Sequence, residues 1–519
     1  MLPPQHIIMI ASENDALKSG KVGGLGDVVR DLPAALAQLG FRITTIIPAY
    51  GFLHRENPSK QIGEILFPFA GEKQHAELWE VTLKSSREGI RHLVVEHPEI
   101  RGEPIYSNDP PGHAFVRDAT KYALFCSAVG QFLKTIPDPF VLHLHDWHTG
   151  FLFLLRELHA EFTHLKKHKT VFTIHNLAIQ GTRPMQGDHS SVEQWFPELF
   201  EARSWIIRWK DPNHEDPSFT PMAAGIQHAD KVNTVSPTYA EEILRHSDHA
   251  LGFFGGEGLE SLLQRTRMEG RLFGILNGAE YPPDRTPPKM RFPEMCDLIV
   301  REVTEAKKTK SDPLFDGILA RMQKLRKSDP RLILTSVTRV VEQKIKILHE
   351  NNSVGNNVMD EILIRLAAKN GIYLFIGTGT TDYEEKLIVT FHKHVNFVFL
   401  KLFSQAIAEA LYANGNIFMM PSSFEPCGIG QMIAMRDGQP CVVHATGGLR
   451  DTVVDGVNGF QFAGETLIEK ADNCITATER AMNMAVGNPT QWQSVCSKAR
   501  EMRFTWEKSA KQYIEHLYA

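Results

Sequence analysis

The chain has 519 residues, 42% hydrophobic and 23% charged, with a formal net charge of -5 and a pI near 6.5. That length predicts two or three domains with sizeable cores, and the charge excludes a broad attraction to nucleic acid or anionic lipid. Six scattered cysteines without a CxxC pair, no basic stretch at the amino terminus and no apolar run of roughly 20 residues predict a reduced cytoplasmic setting, no signal peptide and no membrane span.

Short β-branched runs, each followed by turn residues and helical periodicity, recur along the chain. The first half reads as strands at 6–10, 42–47, 92–95, 141–145, 170–174, 231–235 and 273–276. Residues 281–330 interrupt the pattern with Pro282, Pro283, Pro287 and Pro288 and then a charged amphipathic helix. It restarts with strands at 332–337, 372–376, 395–400, 417–420 and 441–444, and a helical stretch at 492–519 closes the chain. Runs without strict alternation predict parallel strands covered on both faces, and strand–helix alternation predicts an α/β fold with right-handed crossovers. The expected organisation is two Rossmann-like doubly wound domains, 1–280 and 281–490, with 491–519 as a closing helix and a hinge near residues 278–288. There is no internal repeat. Carboxyl-end loops of two such sheets would face one crevice, where ligands bind in this fold class.

The loops after the strands carry the chemistry. Lys21-Val22-Gly23-Gly24-Leu25-Gly26-Asp27 leads into a helix at 28–39 ended by Gly40. Its glycines admit close backbone approach, the helix start offers N–H groups to an anion, and Lys21 adds a point charge. The segment matches neither the Walker nor the dinucleotide pattern. His143-Leu144-His145-Asp146-Trp147-His148 clusters polar groups at a strand's carboxyl end. Three histidines with an aspartate are the residue types of a metal site, but no matching carboxylate set appears elsewhere in the sequence. Thr173-Ile174-His175-Asn176-Leu177-Ala178-Ile179-Gln180-Gly181 follows the next strand, and Leu276-Asn277-Gly278 closes the first half. His175 reads either as a strand-end residue satisfied by backbone or as a ligand contact.

In the second half, Thr338-Arg339-Val340-Val341-Glu342-Gln343-Lys344 sets two cations across a strand–helix turn, where both can reach one pyrophosphate. A solvated pair is the plain alternative, although helix starts ordinarily prefer acids. Pro421-Ser422-Ser423-Phe424-Glu425-Pro426-Cys427-Gly428-Ile429-Gly430-Gln431 links a strand to a helix. Glu425 there can accept hydrogen bonds from sugar hydroxyls while the following amides meet phosphates. Ala445-Thr446-Gly447-Gly448-Leu449-Arg450-Asp451-Thr452 and Phe504-Thr505-Trp506-Glu507-Lys508-Ser509-Ala510 complete the set.

In order and over essentially the full chain, these segments resemble the signatures of glycosyltransferase family 5, the bacterial glycogen synthases and plant starch synthases. The resemblance implies a GT-B architecture. It implies that Lys21, with the Gly23–Gly24 turn, contacts donor phosphates and that Asp27 lies near the transferred sugar. Asp146 and Trp147 would line the sugar and acceptor side, His175 would contact the donor glucose, and Asn277 would close the first domain's wall. Arg339 and Lys344 would neutralise the leaving nucleotide diphosphate. Glu425 would bind donor glucose hydroxyls and be required for turnover, with Cys427, Gly428, Ile429, Thr446 and Gly447 completing the donor site. The sequence departs from the family pattern at Val22, Ala279-Glu280, Thr338, Ser423 and Gly430, and Phe403 stands near the usual base-stacking tyrosine. Residues 183–220 align with no family motif.

The implied activity is retaining glucosyl transfer from a nucleotide-diphosphate glucose, ADP-glucose favoured over UDP-glucose, to the non-reducing end of an α-1,4-glucan. No metal or cofactor and no nucleic-acid or membrane partner is expected. No motif supplies a carboxylate pair for double displacement, so a same-face route is expected. Glucan phosphorolysis would need a lysine-bound pyridoxal phosphate, whose signature the second domain lacks. A non-catalytic glucan-binding paralogue would have lost Glu425 or the cations, and all are present.

Overall fold

The computed structural model describes all of the chain except residues 1–5, 84–87, 108, 110–113, 138, 202–204, 210, 212–213, 215 and 283–284. The first half contains β1 (His6–Ile10), β2 (Arg42–Pro48), β3 (Ser59–Phe69), β4 (Glu72–Val81), β5 (Ile90–Glu96), β6 (Phe140–His145), β7 (Lys169–Ile174), the short pair β8 (Arg183–Pro184) and β9 (Ser218–Phe219), β10 (Lys231–Thr234) and β11 (Leu272–Gly274). One nine-stranded sheet runs β11-β10-β7-β6-β1-β2-β5-β4-β3, and β8 pairs with β9 separately. From β11 to β5 every pairing is parallel. All of β1 past His6 is buried, as a central strand covered on both faces requires.

The edge departs from the all-parallel expectation. β4 pairs antiparallel with β5, and β3 antiparallel with β4. Their turn, Ala70-Gly71, has φ of 53° and 76°, and two positive φ values in a two-residue loop match the twist of the flanking strands. Alanine is an uncommon residue for that geometry, and the outer part of β3 is exposed, so neither turn chemistry nor alternation marks the hairpin in the sequence.

The second half contains β12 (Leu332–Val337), β13 (Gly371–Ile376), β14 (Phe397–Leu400), β15 (Ile417–Met420), β16 (Cys441–His444) and β17 (Gly459–Phe462). They form a parallel sheet in the order β14-β13-β12-β15-β16-β17, to which the unexpected β17 adds an edge. Each sheet has its own apolar core. Phe424 and Cys427 of the second half pack into the core of the first, which brings that loop to the interface.

The expected helix at 28–39 spans Gly24–Gln38, so the glycine loop itself supplies the first turn. The expected continuous helix at 492–519 is broken into Pro489–Glu501, Trp506–Tyr513 and a wider turn at Ile514–Tyr518. The break is where the chain returns to the first half. Ala279 N–H donates to Phe504 O at 2.7 Å and Phe504 N–H to Tyr281 Oη at 3.2 Å, so outgoing and returning segments lie side by side. At Gly278 a Cβ would stand 2.5 Å from Trp506 N, which leaves room only for glycine. Trp506, Tyr513 and Tyr518 then pack with Ile7, Met9 and Leu32 on one face of the first sheet. No described helix is long and apolar enough to cross a membrane.

Candidate active site

The loops at the carboxyl ends of both sheets enclose a cavity of about 810 Å³ between the halves. From the first half come Glu13 after β1, Gly23, Gly24 and Asp27 of the glycine turn, Asp146 and Trp147 after β6, His175 after β7 and Asn277 after β11. From the second half come Arg339 and Lys344 after β12, and Glu425, Cys427, Gly428 and Ile429 after β15.

On the donor wall, Lys344 Nζ ion-pairs with Glu425, whose Oε2 also accepts Ser422 Oγ–H at 3.2 Å. Ser423 N–H donates to Gln343 O at 2.8 Å and ties the two loops together. Glu425 is only 6% exposed, so its charge is held by that lysine rather than by bulk water. Arg339 is exposed at the cavity wall and has no ion-pair partner among the described residues. A cation without a carboxylate, beside a carboxylate already paired, leaves a net positive wall for an anion. Gly428 has a φ of 75° and a Cβ there would meet Gln431 Oε1 at 2.6 Å. Gln431 in turn donates to the Cys427 and Gly428 carbonyls at 3.2 and 3.0 Å, which fixes the loop from behind.

On the opposite wall, Asp146 has φ 56° and ψ 179°, a region almost reserved for glycine. Its Oδ1 accepts the His175 N–H at 2.7 Å, and burial raises its carboxyl to about 7 despite that hydrogen bond. Asp146 thus fixes the backbone of His175, and the strain marks a place where position matters more than comfort. The His175 and His145 rings share one hydrogen bond, Nε2 to Nδ1 at 3.0 Å. Burial lowers His175 to about 3 and His145 well below its usual range, so both imidazoles are neutral. Trp147 Nε1, His148 Nδ1 and Asn277 Oδ1 are buried without a partner among the described residues, all in residues lining the cavity. Gly181 has a φ of 72° and a Cβ there would lie 2.0 Å from the Trp147 ring, so the glycine makes the indole's seat.

Three expected contacts lie elsewhere. Lys21 is outside the cavity lining and pairs with Asp27 at 2.5 Å and Asp15 at 3.4 Å. Thr446 Oγ1 and Gly447 N–H do not face the cavity but donate to Glu242 Oε1 of the first half at 3.1 and 3.0 Å. His143, in the histidine-rich strand end, is buried away from the cavity between Thr173 Oγ1 at 2.7 Å and Tyr518 Oη at 2.8 Å. Because Thr173 Oγ1–H donates to Asn233 Oδ1 at 2.6 Å, His143 carries its proton on Nε2 and accepts from Tyr518.

Sequence reasoning missed Glu13. Its Oε2 accepts the Val22 and Gly23 N–H groups at 2.6 and 2.7 Å, and its Oε1 accepts Tyr106 Oη–H at 2.6 Å. Two amides that a glycine-rich turn would offer to phosphate are therefore engaged by a protein carboxylate. The available signal was an acid three residues after the end of a buried strand. Tyr106 and Asp118 of the same wall were also missed. Asp118 pairs with buried Lys121 at 2.7 Å, whose Nζ also donates to Ile105 O at 3.0 Å.

Residues 6–265 match the family model "Starch synthase catalytic domain", and residues 350–480 match "Glycosyl transferases group 1". The glycogen synthase of Desulfitobacterium hafniense is 32% identical over 96% of each chain, and that of Gloeobacter violaceus 33% identical over 95% of each. Among solved structures, the catalytic domain of Starch Synthase IV from Arabidopsis thaliana, bound to ADP and acarbose, aligns with a TM-score of 0.76 at 24% identity over 99% of both chains. Sucrose-phosphate synthase from Thermosynechococcus elongatus aligns at 0.54 and 16%, over 99% of this chain and 98% of that one. The fold shared with both is GT-B.

Proposed function

Since the chain belongs to the glycogen synthase and starch synthase family of glycosyltransferases, with glucosyl transfer to a glucan as its reaction, we propose how the cleft divides that work. Residues 1–280 present the acceptor, 281–490 hold the nucleotide sugar, and 491–519 fasten the second part back onto the first. ADP-glucose is the favoured donor, in line with the ADP held by Starch Synthase IV. The acceptor is the non-reducing end of an α-1,4-glucan, and the six cysteines, all unpaired, suit a cytoplasmic setting.

The observation that carries this reading is the convergence of Arg339 and Lys344 beside Glu425, across one cavity from Asp146 and His175. Arg339 takes the diphosphate in a fork, and Lys344 shares its charge between diphosphate and Glu425. The amides of Cys427–Ile429 add donors where negative charge develops. Glu425 accepts hydrogen bonds from glucose hydroxyls. As the anomeric carbon–phosphate oxygen bond breaks, the acceptor oxygen bonds that carbon on the same face and passes its proton to the departing phosphate. Configuration is retained without an enzyme nucleophile. Neutral His175, its backbone fixed by Asp146, places a carbonyl against the cationic sugar. Lys21 joins only by leaving Asp27. Phe403, 87% exposed just beyond β14, stacks on the base from outside the cavity.

The test is direct. Purified protein is mixed with glycogen and either ADP-glucose or UDP-glucose, and nucleotide release and glucose incorporation are followed together. ADP release that depends on glycogen is expected. Absence of nucleotide release from both donors overturns the proposal.

A further inference from the structure

Behind the loop that carries Glu425, the halves meet through two short helices, Pro237–Glu242 of the first and Gly447–Thr452 of the second. Each caps the other. Thr238 donates to Asp451 through N–H at 2.9 Å and Oγ1–H at 2.7 Å. In return Thr446 Oγ1–H and Gly447 N–H donate to Glu242. Ser236 Oγ–H reaches Pro426 O at 2.5 Å. Neither Glu242 nor Asp451 ion-pairs among the described residues, so their charges rest on the N–H groups of the opposite helix start.

The next donor of the Gly447–Thr452 helix leads to the catalytic loop. Gly448 N–H is shared between the carbonyls of Glu425 and Pro426, both at 3.2 Å. The two glycines allow the approach. A Cβ at Gly447 would stand 2.0 Å from Glu425 O, and one at Gly448 2.2 Å from Cys427 O. The helix start is thus wedged between a carboxylate of the first half and the backbone of Glu425.

We infer that Glu242 and Asp451 are positioning residues for glucosyl transfer: by exchanging caps across the interface they fix the Gly447–Thr452 helix and, through its Gly448 amide, the place of the Glu425 carboxylate in the cleft. The inference rests on Glu425 acting as proposed above. Loss of the exchange leaves Arg339, which makes no ion pair with Glu425, to hold the diphosphate but lets the Glu425 backbone shift, so turnover suffers far more than nucleotide affinity.

The experiment uses the full chain with Glu242→Ala, Glu242→Gln, Glu425→Ala and the Glu242→Ala/Glu425→Ala double variant. It measures kcat with glycogen, ADP affinity by calorimetry and Tm. Glu242→Ala is expected to lower kcat about tenfold, the worth of a part-buried pair of hydrogen bonds, with ADP affinity held within about threefold. Glu242→Gln keeps an oxygen for both donors and should restore most of kcat. Because Glu242 acts through Glu425, the double variant should be no slower than Glu425→Ala alone. Wild-type kcat in Glu242→Ala, or multiplied losses in the double variant, overturns the inference alone. Full activity of Glu425→Ala overturns the site assignment and this inference together. If Glu242→Ala does not fold, Asp451→Asn, which replaces one of two acceptors facing Thr238, carries the same comparison of kcat against ADP affinity.

Discussion

Asp146 joins a backbone conformation that costs about 1–3 kcal/mol to a buried carboxyl raised to about 7. Its folded-state pKa lies above the unfolded value, so its contribution to stability is whole in acid and is lost as pH rises through about 7. Asn at this position keeps an oxygen for His175 N–H but cannot ionise. The Tm of Asp146→Asn relative to wild type is therefore expected to climb between pH 5 and pH 8, on the order of a few kcal/mol in stability, as read by scanning calorimetry. On the facing wall, Lys344→Ala and Glu425→Ala should each lower kcat roughly 100- to 1,000-fold while glycogen binding, measured by affinity electrophoresis, stays near wild type. Equal loss of both would point to unfolding. Glu425, Lys344 and His175 were legible because each stands in a motif at a strand's carboxyl end. Glu13 was not, since its partners are backbone amides nine and ten residues on and a tyrosine 93 residues away, and no spacing rule links them.

The elements were read best where burial leaves no choice. Central strands such as β1, β12 and β15 are almost wholly buried and mostly apolar because both faces are covered, and their predicted bounds match the observed ones. The β3–β4 hairpin escaped because its register is set by tertiary contact: Ala70 N–H donates to Trp195 O at 2.8 Å and holds a turn that the local sequence does not favour. Ala70 is exposed and in the left-handed region, where asparagine is at less cost. Ala70→Asn is expected to raise stability by about 0.5–1 kcal/mol without changing kcat, a shift visible in chemical denaturation. Gly181→Ala tests the opposite case. A methyl at positive φ pressed into the Trp147 ring should lower stability by about 1–3 kcal/mol and weaken turnover through the displaced indole.

At the scale of the whole molecule, the last residues belong to the first half. Trp506 Nε1–H donates to Asp31 at 3.1 Å and Asn233 Nδ2–H to Tyr513 Oη at 3.1 Å, while Tyr518 reaches His143 under β6. Trp506→Ala removes a 6%-exposed indole from that face and is expected to cost about 3–5 kcal/mol, lowering Tm although the residue touches no ligand. The sequence announced a helix here, but the break at 502–505 depends on the crossing strap, which no local pattern records. This tail also orders events at the ribosome. The first nine-stranded sheet is complete once Gly274 has been made, yet its outer cover arrives some 240 residues later. At roughly 5–20 residues per second, an apolar flank of a nearly finished unit waits roughly 10–50 s for its own carboxyl terminus. Synthesis halted in the second half leaves Ile7, Met9 and Leu32 without the cover that Trp506, Tyr513 and Tyr518 give them.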